Sequence, residues 1–222
     1  MKEIAELITG FERFQAKYFG TEPGLFLRLR KDQEPRTLII ACCDSRVDPA
    51  MLTGADPGDL FVVRNVANLV PAYHDEGNAP GIRSAIEFAI KGLEVQHIIV
   101  LGHSHCGGIQ ALMDSGAGKV SPYEFIDAWV QIAKRAKEKV LRELPHKHPA
   151  QQARACEQAA ILVSLENLLS FPWIRERVNQ KKLALHGWYF DIDSGELLSN
   201  SVETGKFAPL VARPAPEQAV GA

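Results

Sequence analysis

Charge of one sign is missing from this chain: 25 Lys and Arg stand against 27 Asp and Glu in 222 residues, a formal net charge of −2. No overall positive field exists to hold a nucleic-acid backbone, so a nucleic-acid partner is not expected. Long apolar runs are missing too. The hydrophobic residues come in short runs broken by charged or turn residues, and none approaches the ~18 apolar residues of a membrane span. The opening MKEIAELITGFERF threads acids through its apolar positions, unlike the basic head and apolar body of a secretory signal. Cysteine is scarce, with only Cys42, Cys43, Cys106 and Cys156. Three of these lie in motifs that also hold His or Asp, which favours metal or thiol chemistry in a reducing compartment over a stapled secreted scaffold. Cys156, alone in an Ala-rich helical stretch, reads as a small buried hydrophobe. Repeats and low-complexity tracts are absent. The expectation is a cytoplasmic protein without membrane insertion, built as one domain over 1–222 with an N-terminal helical arm at 1–30 and a loose tail at 211–222.

What is present is an alternation of short buried strands and helices. The first 30 residues read as helix, with Ile4, Leu7, Ile8, Phe11 and Phe14 at three- and four-residue intervals and a break between Gly20 and Gly24. That amphipathic face needs another surface to cover it. Thr37 to Ala41, Leu60 to Arg64 and His97 to Gly102 are short β-branched runs of the kind buried on both sheet faces. A helix from about Pro80 to Gly92 lies between the second and third, and Gly107 to Asp114 reads as another. Ser121 to Leu141 reads as a long helix capped by Ser121, with Pro122 and Glu124 in its first turn. Helices over Gln151 to Leu169 and Trp173 to Asn179 follow. Leu183 to Ile192 is a late strand, and a turn at Asp193 to Gly195 leads to a hairpin partner at Glu196 to Leu198. The pattern predicts an α/β fold, a largely parallel central sheet flanked by helices with a C-terminal edge strand.

Two motifs follow buried strands directly, where α/β proteins open into their ligand crevice. The first is Cys42-Cys43-Asp44-Ser45-Arg46 and the second His103-Ser104-His105-Cys106-Gly107-Gly108. If the strands are neighbours, Cys42, Asp44, His103 and Cys106 meet at one point. Zinc suits two thiolates with an imidazole because it is borderline-soft and tetrahedral. Three protein ligands, Cys42, His103 and Cys106, leave a fourth position for water; Asp44 as a fourth ligand closes the site. Arg46 lies where its fork can hold Asp44 off the metal. By alternation, His105 points away from the ligands toward a local hydrogen bond and Cys43 packs into the domain. Gly107 and Gly108 open a helix whose backbone N–H groups favour thiolate and a small anion. A closed, noncatalytic zinc protein and a thiol enzyme using Cys42 or Cys43 remain alternatives.

These residues also resemble the beta-class carbonic anhydrases, whose pattern is Cys-x-Asp-Ser-Arg followed by His-x-x-Cys-Gly. Arg64 to Pro71, Ser84 to Ala89 and Leu185 to Asp191 are similar to further family segments. The resemblance implies reversible hydration of carbon dioxide to bicarbonate and a proton by zinc-bound hydroxide. One Zn2+ per subunit would be held by Cys42, His103 and Cys106, with Asp44 and Arg46 as the catalytic pair and Asp44 a possible fourth ligand in a closed state. The closed kind of enzyme usually carries tryptophan where this chain has Ile39. The open, plant-like and bacterial kind (type I) has a glutamine matching Gln33, and Phe61, Val66 and Gly107 match substrate-pocket positions. Phe88 departs from the plant tyrosine, and His74 is a candidate proton carrier. The resemblance further implies a homodimer or homotetramer, with the Ile4 to Phe14 face at the subunit interface.

Overall fold

The computed structural model describes residues 2–20, 24–74, 79–116, 121–201 and 204–211; most of the 211–222 tail lies outside them. Two compact units divide the chain, residues 1–34 and 35–222. The first holds helices α1 (Lys2–Phe19) and α2 (Gly24–Leu29). Phe14 packs on Tyr18 and Phe26 with ring centroids 4.8 and 5.7 Å away, and Phe19 stacks on Phe26 at 4.7 Å. The continuation of that apolar stripe toward the start of α1 (Ile4, Leu7, Ile8 and Phe11) is exposed.

The second unit is built on a six-stranded sheet in the order β2-β1-β3-β4-β5-β6. The strands are β1 (Thr37–Cys42), β2 (Leu60–Asn65), β3 (His97–His103), β4 (Ala184–Asp191), β5 (Glu196–Asn200) and β6 (Phe207–Pro209). The first four run parallel, and the β4–β5 hairpin and β6 close the edge antiparallel. The expected parallel sheet with a late edge strand is therefore present. Side chains alternate across it. Leu38, Ile40, Ile98 and Val100 enter one core with Ile86, Ile90 and Ile161. Ile39, Ala41, Ile99 and Leu101 form the other face with Trp188, Phe190 and Leu197.

Helices α3 (Pro49–Thr53), α4 (Pro80–Glu87), α5 (Gly107–Asp114), α6 (Ile126–Val130), α7 (Lys134–Glu143), α8 (Pro149–Leu169) and α9 (Pro172–Asn179) complete the unit. α8 approaches β3 closely because Gly102 has no side chain: a Cβ there would meet Ile161 Cδ1 at 2.8 Å. No helix of the described residues is long and apolar enough to cross a membrane.

One expected helix needed correction, and three features went beyond the sequence pattern. The helix expected from Ser121 starts at Ile126 and is interrupted by a 3-10 turn at Gln131–Ala133. Ser121 Oγ donates to Asp127 at 2.8 Å and accepts the Tyr123 N–H at 3.1 Å, so it closes a turn and does not cap a helix. The helix from Pro80 turns to π geometry over Phe88–Gly92. α3 and β6 had no counterpart in the sequence pattern; α3 is capped by the Asp48 carboxylate, which accepts from Ala50 and Met51 N–H.

Candidate metal centre and its surroundings

β1 lies between β2 and β3, so the chain leaves the carboxyl ends of β1 and β3 on either side of the point where strand order reverses. Cys42 ends β1 and His103 ends β3. Cys106 follows as the N-cap of α5. The sulfurs of Cys42 and Cys106 are 4.0 Å apart, and with a His103 ring nitrogen they form a buried group whose donor atoms all lie within 4.8 Å of one another.

The group fits a tetrahedral zinc ion. Two sulfurs bound at 2.3 Å in that geometry are about 3.8 Å apart. His103 Nδ1 is committed to the Ser104 carbonyl at 2.9 Å, while Nε2 is buried with no hydrogen-bond partner. A buried nitrogen without a partner is costly unless something binds it. The carbonyl bond fixes the tautomer that leaves Nε2 free for a cation. Electrostatics agree: hydrogen bonding from Cys106, assisted by His103, pulls the Cys42 thiol down to about 4 against the effect of burial. Cys106, beside that thiolate, is pushed up. Burial works against charge on His103, yet Cys42 outweighs it and raises the imidazole. Two sulfurs and a ring thus compete for protons at one place, the condition a dication relieves by replacing them.

Asp44 stands at the rim. Its Oδ2 is 3.9 Å from His103 Nε2. Arg46 grips the carboxylate with Nε on Oδ1 at 2.9 Å and Nη2 on Oδ2 at 2.7 Å, and the Arg46 backbone N–H donates to Oδ1 at 3.0 Å. The Arg46 bonds hold the carboxyl well below the usual carboxylate range. Arg46 Nη2 also reaches the His105 carbonyl at 3.3 Å, tying the two motif loops together.

Residues outside the motifs hold these loops. Arg64 donates to the carbonyls of Cys42 (2.9 Å) and Asp44 (2.7 Å) and pairs with Asp48 at 2.9 Å. The Ala67 N–H points at Cys42 Sγ at 3.4 Å, and the N–H groups of Gly108 and Ile109 lower Cys106, as a helix start predicts. Buried Glu157 accepts the Cys106 N–H at 3.1 Å and the Tyr189 hydroxyl at 2.6 Å. Arg64 left a trace in the sequence as a charge ending an apolar run, although that strand, expected to be buried on both faces, is the sheet edge β2 and has no fully buried residue; Glu157 left none, because α8 is buried around much of its circumference.

Other expected site residues fall in several places. Val66 and Cys43 line an apolar cavity of about 880 Å³ with Asn65, Phe125, Trp129 and Ile132. Trp129 Nε1 donates to the Val66 carbonyl at 2.7 Å. Phe61 is not brought there within one chain: it pairs with Leu38, about 13 Å of strand rise before Cys42, and packs on Phe88 at 5.9 Å. Gln33 belongs to the N-terminal unit. Cys43 corrects the expectation that it packs inside: it is exposed, since alternation along β1 turns it outward once Cys42 points in. His105 points away from the trio, but its partner is distant in sequence, Asp193 at 2.8 Å, and its backbone takes φ 58°. His74 is exposed and sits edge-on to Tyr73. Cys156 is buried, its thiol pushed up to about 12 by burial.

A parallel α/β sheet whose switch-point loops bring Cys, His and Cys together defines a centre suited to a metal ion such as zinc, and the comparisons give it a family. The carbonic anhydrase family model matches residues 37–197. Beta carbonic anhydrase 3 of Arabidopsis thaliana is 39% identical over 195 residues, covering 86% of this chain and 74% of its own. The chloroplastic beta carbonic anhydrase 5 of the same plant is 46% identical over 169 residues, covering 75% of this chain, which spans about half (54%) of that relative's length. Among solved structures, the beta-carbonic anhydrase CcaA superposes with a TM-score of 0.85 at 34% identity, covering 96% of this chain and 94% of its own. One of two tetrameric beta-carbonic anhydrases of Sordaria macrospora gives 0.80 at 26% identity over 94% of this chain and 100% of its own. The chain belongs to the beta-carbonic anhydrase family.

Proposed function

We propose that this protein catalyses the reversible hydration of carbon dioxide to bicarbonate and a proton, using one Zn2+ ion held by Cys42, His103 and Cys106. In a three-ligand site zinc supplies Lewis acidity that brings the pKa of a coordinated water near 7, making hydroxide available at neutral pH. The chain's own residues do the rest. Asp44, ionised in the fork of Arg46, accepts a hydrogen bond from the nucleophile and so aims its lone pair at carbon. Val66 and the apolar cavity beside it hold carbon dioxide. Gln33 donates its amide hydrogen to the substrate oxygen on which charge grows, and the Gly107 N–H at the start of α5 does the same for bicarbonate. Phe61 reaches such a pocket only from a second copy of the chain. A homodimer or homotetramer therefore forms part of the reading, with the Ile4 to Phe14 stripe at its interface. Free cysteines support a reducing, cytoplasmic setting.

The observation that carries this reading is the Asp44–Arg46 fork. A carboxylate spent on arginine leaves the fourth metal position to water, the open, type I arrangement that Ile39 and Gln33 also support. The 3.9 Å from Asp44 Oδ2 to His103 Nε2 keeps a second reading in view, in which Asp44 closes on the metal. Stopped-flow hydration at pH 8 with zinc analysis tests the first: zinc-loaded, folded protein accelerates hydration and Cys106→Ser does not. Loaded protein no faster than buffer overturns it. Absorption of the cobalt-substituted enzyme from pH 6 to 9 separates open from closed coordination.

A further inference from the structure

β3 carries histidine at both ends. His103 belongs to the metal trio; His97, six residues earlier, is about 20 Å away by strand rise and faces another histidine. Its Nδ1 lies 3.2 Å from Nε2 of His186 on β4, with ring centroids 5.3 Å apart at 47°. The register explains the meeting: His97 pairs with Ala184 and Ile99 with His186 in parallel strands, so both imidazoles project from the same sheet face, one pleat apart. The strand is anchored because Ile98, Ile99 and Val100, which follow His97 along β3, are buried. His97 itself is exposed and His186 half-buried.

We propose that His97 Nδ1 and His186 Nε2 form a second cation site, separate from the trio, that takes one borderline divalent ion such as Zn2+ or Ni2+, with water completing its shell. Imidazole is the donor these ions prefer. Two nitrogens bound at 2.0–2.1 Å in tetrahedral geometry stand about 3.3 Å apart, so the spacing already present needs almost no adjustment. Without an ion the pair shares one proton, one nitrogen donating and the other accepting. With an ion both nitrogens present lone pairs. The donor ring moves its proton to its other nitrogen, and no net proton is released from the neutral pair. Burial, and after it the nearness of His97, lowers the His186 imidazole, which favours the neutral donor that a metal needs. Glu94, Arg177, Lys181 and Lys182 line a cavity of about 640 Å³ beside His97. Arg177 is spent on the carbonyls of Ile90, Glu94 and Val95, and the two lysines oppose a cation, so binding is weaker and faster-exchanging than at the trio.

The test uses the full chain with zinc in its tightly held site. Equilibrium dialysis against Zn2+ is expected to show one further, rapidly exchanging equivalent. His97→Asn and His186→Asn each lose it, while both variants keep the first ion and the hydration rate. Long-range 1H–15N spectra give an independent readout: before titration one of the two facing nitrogens carries the proton; after it neither does, and both shift together. No further equivalent, one that survives both substitutions, or ring shifts confined to other histidines would overturn the site. Loss of the tightly held ion in the wild type would instead count against the function proposed for the trio, because this site is read from the difference between wild type and variants.

Discussion

Arg46 closes on Asp44 through two parallel hydrogen bonds of 2.9 and 2.7 Å, and in the proposed function this pairing keeps the carboxylate for the reaction and off the metal. Lysine keeps the charge but cannot form the fork. Arg46→Lys is expected to retain zinc and to lower kcat/KM about 100-fold, the scale of a catalytic group misplaced by ~1 Å. Stopped-flow hydration with parallel metal analysis checks this. An unchanged rate would remove the fork from the mechanism.

Glu157 is buried with both oxygens engaged, one by the Cys106 N–H and one by the Tyr189 hydroxyl. Burial raises its carboxyl, and those two donors work against the rise. Glu157→Ala strands both donors, at about 1–3 kcal/mol, and frees the backbone that presents Cys106. Urea unfolding should register the loss, and zinc release to a chelator should quicken. Glu157→Gln, which keeps an acceptor, should recover part of both.

The metal site was more legible in the sequence than the scaffold that holds it. Cys42, Asp44, Arg46, His103 and Cys106 announce themselves because chemistry limits which residues can do their work, and buried β-branched runs placed them at strand ends. Arg64, Glu157 and Trp129 act through backbone carbonyls and N–H groups, which any sequence supplies, so nothing marked their partners in advance. Cys43 was misread because alternation says only that it points away from Cys42; one residue past the end of β1, that side is open to solvent. The helix expected from Ser121 was misread because the Ser121 oxygen accepts the Tyr123 N–H in a local turn, five residues before the helix begins at Ile126. The late β6 strand is only three residues long, too short to carry a period.

Gly108 tests how tightly α5 must approach the turn behind the metal site. A Cβ there would meet Val66 Cγ1 at 2.6 Å and Ala67 Cβ at 2.9 Å, whereas one at Gly107 meets nothing within 4 Å. Gly108→Ala should displace the turn whose Ala67 N–H points at Cys42 Sγ. The expected cost is about 1–3 kcal/mol, in the range of overpacked cores, with weaker zinc retention. Gly107→Ala is the control and should change neither. Thermal melts of the two variants with and without chelator make the comparison.

Arg154 pairs through Nη2 with Asp191 Oδ2, and Asp191 is almost fully buried while Arg154 is half-exposed. Burial, the largest single influence, would raise the Asp191 carboxyl; Arg154, with smaller help from Ser194 and the Asp193 N–H, outweighs it, so the folded value is lowered. A lowered folded value means stability that is present in full above the unfolded pKa of ~3.9 and lost as pH falls below it. Arg154→Gln leaves a buried carboxylate without its cation. Near pH 7 the variant should be less stable by about 1–3 kcal/mol, short of a fully buried pair because the guanidinium is partly in water. In the variant burial is opposed only by Ser194 and the Asp193 N–H, so Asp191 takes up its proton at higher pH than in the wild type, and the penalty should shrink as pH falls toward 4. Urea unfolding at pH 7, 5.5 and 4 measures the gap directly. A gap constant across that range would mean that the pair contributes packing without the electrostatics assigned to it.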